Sequence, residues 1–302
     1  MLNTIVAVLF PLIALIALGY GLKRSEWLNL SFWQGAEKLN YYVMFPIMLF
    51  MSLASASIQL AVIQDVIIML SIVTLLTCMI LYVCKVVFKI PVSRFGVYVQ
   101  SILRFNSYIG IALIGGLFHQ PGMAIFAIIL VFFIPLVNVI SVLSLTDVKH
   151  LTLQSIFINI IKNPLILGCL AGGAFNWSGL SLWVGIEQLF KLLAACSLPL
   201  GLLCVGAALR FQGIRADLGC LATTTFVRML LMPLFAYFMC QWMGLNTLTT
   251  QVITVFFALP TASASYILTK VYGGDSKLMA SIITVQTVIA AVTLMLVLSL
   301  MH

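Results

Sequence analysis

The sequence predicts an all-α polytopic membrane protein, and three observations support this fold class. Hydrophobic residues make up 63% of the 302 residues and charged residues only 7%, whereas a soluble domain has roughly 45–50% and 25%. The apolar residues form ten stretches of about 20 residues, the length that a helix needs to cross a bilayer. The 15 Lys and Arg residues outnumber the 7 Asp and Glu residues, and most of these cations lie in alternate loops.

Short polar segments separate the ten predicted spans, so no loop is long enough to form a soluble domain. Prolines interrupt the seventh span at Pro199 and the ninth at Pro260. The predicted spans cover residues 3–22, 38–57, 62–84, 96–118, 123–145, 155–175, 183–209, 217–241, 247–269 and 278–300.

The cations define a predicted orientation in the membrane. Loops after odd-numbered spans contain twelve Lys and Arg residues, and loops after even-numbered spans contain none. Because cytoplasmic loops are enriched in these residues, both termini are predicted on the non-cytoplasmic side of a plasma membrane, the inner membrane of a bacterium. The twelve cations are Lys23, Arg24, Lys38, Lys85, Lys89, Arg94, Lys149, Lys162, Arg210, Arg215, Lys270 and Lys277.

The two halves of the chain resemble each other at matched positions. Segment 30–39 (LSFWQGAEKL) matches segment 180–189 (LSLWVGIEQL) at six of ten positions, including the tryptophan and the glutamate. Later, the SYI segment at 107–109 matches 265–267. This self-similarity indicates an internal repeat.

Five spans in each half place the second copy in the membrane with the opposite orientation. Residues 1–150 are therefore predicted to form a first five-helix repeat, and residues 151–302 a second, inverted one. Inverted repeats are a transporter architecture, with the ligand site near the midplane where paired helices break.

Spans four and nine are predicted to break, near residues 104–107 and 259–265. A helix break frees backbone groups that must face protein or a cavity, and the start of a half-helix has a partial positive charge that binds anions. The hydroxyl groups could instead satisfy freed carbonyls or allow close helix packing. The candidate ligand-binding residues at the breaks are Asn106, Ser107, Pro260, Thr261, Ser263 and Ser265.

Two arginines are predicted at membrane depth. Arg104 lies ten residues beyond Arg94, and Arg228 lies eleven residues into span eight. Charges at this depth are costly and usually face a cavity or a partner, so both are candidates for binding an anion. Alternatively, each arginine ties together carbonyl groups of the broken helices. A third cation, Lys191, is expected to pair with Glu187, four residues earlier.

The residue types exclude several other functions. The sequence lacks a buried Asp pair of the sodium–proton antiporter kind, and a cavity with net positive charge favours an organic anion. Asn40, at the start of span two, is a further candidate ligand, although helix-to-helix hydrogen bonding explains it at least as well. The HExxH and GxSxG motifs are absent from the sequence, so no enzyme, catalytic residue, metal or cofactor is expected. The expected partners are an organic anion and the lipid bilayer, but no nucleic acid; a homodimer is left open.

Several motifs resemble the auxin efflux carrier family, including its bacterial members of the malonate-transporter type. The motifs are spread over nearly the whole chain, and their order and spacing together carry the resemblance. They are segment 11–21, LNYYVMFP at 39–46, RFNSYIG at 104–110, KNPL at 162–165, PTA at 260–262 followed by Tyr266, and Tyr272 with Gly273.

The resemblance implies the inverted-repeat fold of bile-acid sodium symporters, which is similar to that of sodium–proton antiporters. It implies a scaffold of spans one, two, six and seven, and a transport unit of spans three to five and eight to ten. It also implies an organic-anion site where spans four and nine cross. The chain has Ala112 where the family often has a proline, and Ser263 to Ser265 where the family often has an asparagine. These departures leave two alternatives: the ligand differs from that of the relatives, or the break in span four is gentler.

The sequence therefore predicts a secondary carrier for small organic anions, such as mono- or dicarboxylates, with an elevator-type alternating-access mechanism. The first alternative is a sodium- or proton-coupled symporter of the bile-acid type. The second is an anion channel or a sensor on the same fold. Because an inside-negative potential favours anion exit, uptake would require a coupled cation.

Overall fold

The computed structural model describes residues 2–55, 60–145, 163–211 and 217–301, and this part of the chain is helical without any strand. Six segments within it are long and apolar enough to cross a membrane. The prediction of an all-helical membrane protein is therefore confirmed. The six segments are Val6–Arg24, Val62–Val87, Val92–Leu145, Val184–Ala208, Leu218–Trp242 and Ser276–Leu300.

The described ranges contain thirteen α-helices. Most of the helix ends lie within a few residues of an end of a predicted span. Residues 155–162 of the predicted sixth span, with Lys149, Lys162 and Arg215, lie outside the described residues. The helices are α1 Leu2–Arg24, α2 Leu30–Leu39, α3 Phe45–Ala54, α4 Leu60–Val87, α5 Val92–Leu103, α6 Ser107–Leu145, α7 Pro164–Ser178, α8 Val184–Ala208, α9 Leu218–Phe226, α10 Met232–Trp242, α11 Thr247–Ala258, α12 Ala264–Val271 and α13 Ser276–Leu300.

The second span begins earlier than predicted, at Leu30 instead of residue 38. The side chain of Asn29 accepts a hydrogen bond from the backbone N–H of Phe32 at 2.8 Å, which caps the start of α2. The helix then continues through a wide turn into α3. The predicted start was wrong because the first turns of this helix are amphipathic and interrupt the apolar run.

Prolines affect the long helices in different ways. The turns Asn40–Met44 and Val227–Leu231 are π-helical, and they lead directly into α3 and α10, whose second residues are Pro46 and Pro233. A proline lacks an N–H group and clashes with the carbonyl four residues earlier, and a wider turn relieves this clash. By contrast, α8 runs uninterrupted through Pro199, so the predicted interruption of span seven was wrong.

The backbone of α6 leaves the helical region at His119, where φ is 51°. The helix is therefore divided into two arms, residues 107–118 and 120–145. The bend lies within the short segment predicted to separate spans four and five.

Glycines allow α1 and α8 to approach each other closely. A Cβ atom on Gly19 of α1 would overlap the carbonyl oxygen of Leu203 on α8, and one on Gly206 of α8 would overlap that of Ile16 on α1. Small residues at helix contacts are a main means of association between helices in membranes. The two backbones therefore touch at two successive turns.

A second close contact joins α7 to α3. Cβ atoms on Gly168 and Gly172 of α7 would lie 2.5 and 2.6 Å from the carbonyl oxygens of Pro46 and Phe50 on α3. The two glycines are four residues apart and so lie on one face of α7, as in other small-residue helix contacts.

Adding a single methyl group at the first contact should destabilise the protein. We expect Gly19→Ala to lower stability by about 1–3 kcal/mol, because the new Cβ has backbone rather than a flexible side chain in its way. The melting temperature of the purified protein in detergent measures this effect. Gly21→Ala, on the same helix, is the matched control because a Cβ at Gly21 meets no atom within 4 Å. Equal melting temperatures for the two variants would contradict the close contact.

Candidate functional site

Two helix breaks lie against each other. Residues 104–106 separate α5 from α6, and residues 259–263 separate α11 from α12. The backbone N–H of Asn106 donates a hydrogen bond to the carbonyl oxygen of Pro260 at 2.8 Å. Both breaks lie where they were predicted, and they touch; we call this region the crossing.

A cavity of about 130 Å³ lies beside the crossing, and we call it the crossing cavity. Its size is close to that of an apolar protein cavity of about 150 Å³ that accommodates benzene. The space therefore suits a small organic molecule. Polar residues that line it include Arg104, Asn106, Ser107, Asn138, Asn163 and Ser263.

Arg104 is the one cationic side chain among the described residues that line the crossing cavity. Its Nη1 atom donates a hydrogen bond to the side-chain oxygen of Asn138 at 3.0 Å, and its buried Nε atom has no hydrogen-bond partner within the described part of the chain. A neutral asparagine positions the guanidinium group without neutralising it. Arg104 can therefore offer a full positive charge to an anion in the cavity.

Two helix starts also face the crossing cavity. Ser107 is the first residue of α6 and Ala264 is the first residue of α12, and both line the cavity. No side chain caps the start of α12 in the described structure. Because helix starts have a partial positive charge, they add to the positive potential of Arg104.

Asn106 stabilises the first break by capping the helix that follows it. Its side-chain oxygen accepts hydrogen bonds from the backbone N–H groups of Tyr108 at 3.1 Å and Ile109 at 3.2 Å, which caps α6. Ala112 lies one turn further on, inside regular helix. Of the two alternatives stated for this departure, the structure does not show the gentler break: α5 ends at Leu103, and Asn106 caps the start of α6 without a proline.

Side chains from neighbouring helices replace the backbone hydrogen bonds that the second break lacks. Gln286 on α13 accepts a hydrogen bond from the N–H of Thr261 at 2.9 Å, and the Thr261 hydroxyl donates to the carbonyl oxygen of Gln100 at 3.1 Å. Thr261 and Gln286 are fully buried, and neither lines the crossing cavity. Thr261 therefore stabilises the backbone of the crossing and does not line the cavity.

Ser263 and Ser265, which were predicted to act together, have different surroundings. Ser263 lines the crossing cavity. Ser265 is fully buried, does not line the cavity, and its hydroxyl has no partner within the described ranges. Pro260 contributes its carbonyl oxygen to the contact between the breaks and likewise does not line the cavity.

Arg228 is fully buried in the π-helical turn between α9 and α10. It donates hydrogen bonds to the carbonyl oxygens of Leu259 and Ile102, both at 2.7 Å, and of Phe256 at 3.3 Å. These carbonyls lie at the C-terminal ends of α5 and α11, which have a partial negative charge. This geometry supports the alternative for Arg228: it ties the broken helices together and does not line the crossing cavity.

Asn40 also lies away from the crossing cavity. Its Nδ2 atom donates to the carbonyl oxygen of Ser197 at 2.9 Å, and the Ser197 hydroxyl donates to its Oδ1 atom at 2.8 Å. Both residues are fully buried. Helix-to-helix hydrogen bonding, the alternative stated for Asn40, is therefore what the structure shows.

Phe105 anchors the first break in an aromatic cluster. Its ring centroid lies 4.7 Å from that of Phe256 on α11 and 5.9 Å from that of Phe133 on α6, both in edge-to-face contacts. Such pairs contribute beyond the apolar area that they bury. The cluster fixes the backbone at the residue next to Arg104.

Sequence reasoning missed several residues of the cavity wall. Asn138 was not among the candidate residues, although an asparagine within an apolar run is a signal that could have identified it. Asn163 caps α7, and its side chain accepts a hydrogen bond from the N–H of Leu165 at 3.0 Å. Glu37 was not a candidate either; it lines the cavity, and its signal was its place in the internal repeat.

About half of the chain matches a known protein family. The sequence model of a family described as membrane transport protein matches residues 144–298, just over half of the chain. The matched region contains Arg228 and the second break, residues 259–263. No curated protein matches the chain.

Proposed function

We propose that this chain, which belongs to the membrane transport protein family, is a secondary carrier for small organic anions such as mono- and dicarboxylates. Within that family we assign it to the bacterial malonate-transporter type of the auxin efflux carriers. The observation that carries the proposal is the Arg104 side chain, which lines a small cavity and has no acidic partner within the described ranges.

The chemistry of the crossing cavity suits a carboxylate. Arginine binds carboxylates through two parallel charge-assisted hydrogen bonds, and Arg104 has at least one N–H donor without a protein partner. The starts of α6 and α12 add partial positive charge on the same cavity wall. A neutral ligand would gain nothing from this charge, so an anion is favoured.

We further propose that the helices form ten spans in two inverted repeats, residues 1–150 and 151–302. The two glycine contacts support this proposal. In an inverted repeat the first span (α1) corresponds to the sixth (α7), and the second span (which contains α3) to the seventh (α8). The α1–α8 contact in this scheme is therefore the counterpart of the α7–α3 contact. The two helix breaks are related in the same way.

The proposed transport motion is an elevator-type slide of one group of helices along another. The scaffold would be α1 to α3 with α7 and α8, which the glycine contacts hold together. The transport unit would be α4 to α6 with α9 to α13, in which Arg228 and Gln286 join the two breaks. The crossing cavity is lined by both groups, for example by Tyr41 of the scaffold and Arg104 of the unit. A slide would therefore move the anion together with the crossing.

A second cavity of about 220 Å³ adjoins the first, and we call it the vestibule. Lys23 and Arg210 line it, and both were predicted to lie on the cytoplasmic side. Glu37 and Ser263 line both cavities, so the two spaces share a wall. We propose that this conformation faces the cytoplasm of a plasma membrane, with both termini on the opposite side.

Arg228 argues against the sodium-coupled alternative. Carbonyl groups at the C-terminal ends of broken helices are typical ligands of a coupling cation in transporters. Here the guanidinium group binds three such carbonyls. The protein thus supplies its own cation at that place.

Ligand screening followed by flux measurement tests the proposed function. Purified protein in detergent would be heated with mono- and dicarboxylates and, as matched controls, with their uncharged amides. We expect one or more acids to raise the melting temperature and the amides to leave it unchanged, since ligands that bind the folded state stabilise it. Vesicles loaded with an acid that binds should then accumulate the labelled acid by counterflow. Neither thermal shift nor counterflow for any acid would refute the proposal, and single-channel currents would indicate a channel.

A further inference from the structure

Glu37 lies where the two cavities meet, and the proposed carrier function does not use it. It is the one acidic residue among the described residues that line the crossing cavity or the vestibule. An ionised carboxylate at this position would repel an anion that moves between the vestibule and Arg104. Its charge state must therefore affect anion binding.

The internal repeat provides a direct comparison for Glu37. Its counterpart, Glu187, forms an ion pair with Lys191 at 2.5 Å near the start of α8. Glu37 has Tyr41 at the corresponding position four residues later, and it forms no ion pair within the described ranges of the chain. The same repeat position thus holds a paired carboxylate in one half and an unpaired one in the other.

Charged and titratable groups from several helices share these cavities with Glu37. Three are cations and four are weak acids that are neutral near pH 7. Positive charge in the cavities favours ionised Glu37, whereas partial burial of its carboxyl group opposes ionisation. A bound carboxylate adds a like charge and favours the protonated form. The groups are Arg104, Tyr41 and Tyr108 in the crossing cavity, and Lys23, Arg210, Cys204 and Tyr266 in the vestibule.

We propose that Glu37 takes up one proton when the carrier binds its organic anion in this conformation. The proton passes from water to a carboxylate oxygen of Glu37 as the anion binds, and it returns to water when the anion leaves. The inference rests on the proposed function, because it requires an anion at Arg104. By linkage, protonation of Glu37 must strengthen anion binding by the same factor by which the anion strengthens protonation.

The pH dependence of anion affinity tests this inference. Pyruvate, lactate and oxalate are suitable probes because their carboxyl groups stay ionised between about pH 5.5 and 8. For an acid that binds, we expect the Kd of the wild-type protein to rise at least tenfold over this range, since one linked proton changes affinity by up to about tenfold per pH unit. Glu37→Gln should bind tightly with little pH dependence. Glu187→Gln, at the matched repeat position, should behave like the wild type.

Proton uptake provides a second measurement that does not depend on a variant. Adding the acid to wild-type protein in weak buffer near pH 7 should raise the pH as a proton is bound, and Glu37→Gln should show no such change. A flat pH dependence in the wild type, or an unchanged slope in Glu37→Gln, would overturn this inference and leave the carrier function in place. Failure of every mono- and dicarboxylate in the screen to bind at any pH would overturn both the inference and the proposed function.

Discussion

Replacing Arg104 with alanine should abolish binding of organic anions while the protein stays folded. The guanidinium group is the one cation among the described residues of the crossing cavity, and removing one partner of a buried ion pair costs about 3–5 kcal/mol. We therefore expect the Kd of a carboxylate to rise by roughly 100-fold or more. Calorimetric titration of purified protein with an acid that binds the wild type measures this change.

Arg94→Ala is the matched control for this experiment. Arg94 lies ten residues earlier, its side chain is 39% exposed, and it pairs with Asp217 at 2.9 Å. We expect its loss to leave the affinity unchanged. Both variants should melt near the wild-type temperature, because the Arg104 side chain donates to one group among the described residues, Asn138, and the Arg94 ion pair is partly exposed. Wild-type affinity in Arg104→Ala would disprove the proposed role.

Replacing Arg228 with methionine should unfold the crossing, with or without ligand. The change leaves the carbonyls of Ile102, Phe256 and Leu259 without their donor. Each hydrogen bond to a charged group contributes about 1.5–3 kcal/mol, so the sum approaches the whole stability of a typical protein domain. We expect aggregation during purification, or a melting temperature lower by on the order of 10 °C. Size-exclusion profiles before and after heating measure both outcomes.

Two further variants isolate the cause of this loss. Arg228→Lys keeps the charge but loses the planar fork that reaches three carbonyls, and we expect intermediate stability. Lys191→Met removes a cation from an exposed ion pair, and such pairs contribute at most about 1 kcal/mol. A stable Arg228→Met protein that has lost anion binding would instead make Arg228 a ligand residue.

The positions of both helix breaks could be predicted from sequence. Pro260 lacks a backbone N–H donor and is followed by hydroxyl residues in an otherwise apolar run. Arg104 and Asn106 are likewise polar residues where a membrane helix should be apolar. The correspondence between the two breaks became visible through the repeat. Local chemistry determines these features, so local sequence reveals them.

The different roles of the two buried arginines could not be predicted. Arg104 and Arg228 are both isolated cations in apolar runs, and sequence gives them the same interpretation. They differ in which helix termini lie near them. Arg104 shares a cavity with the N-terminal starts of two helices, whereas Arg228 binds carbonyl groups at the C-terminal ends of two helices. That difference arises only when helices distant in sequence cross.

Glu37 escaped notice for a related reason. Hydropathy placed the start of span two after it, whereas α2 begins eight residues before the predicted start. A residue within a helix has a side-chain direction that is set by its position in the helical turn. In α2 this position directs the Glu37 side chain toward the two cavities. A hydropathy profile contains no information of this kind.

The hydrogen bond between Asn106 and Pro260 links the substitutions that residues 104–106 and residues 259–263 can tolerate. Each of these loops sets the backbone position that the other must meet, so neither half can diverge alone. Second-site suppressors of harmful substitutions at residues 104–106 should therefore cluster at 259–263, in the opposite half of the chain.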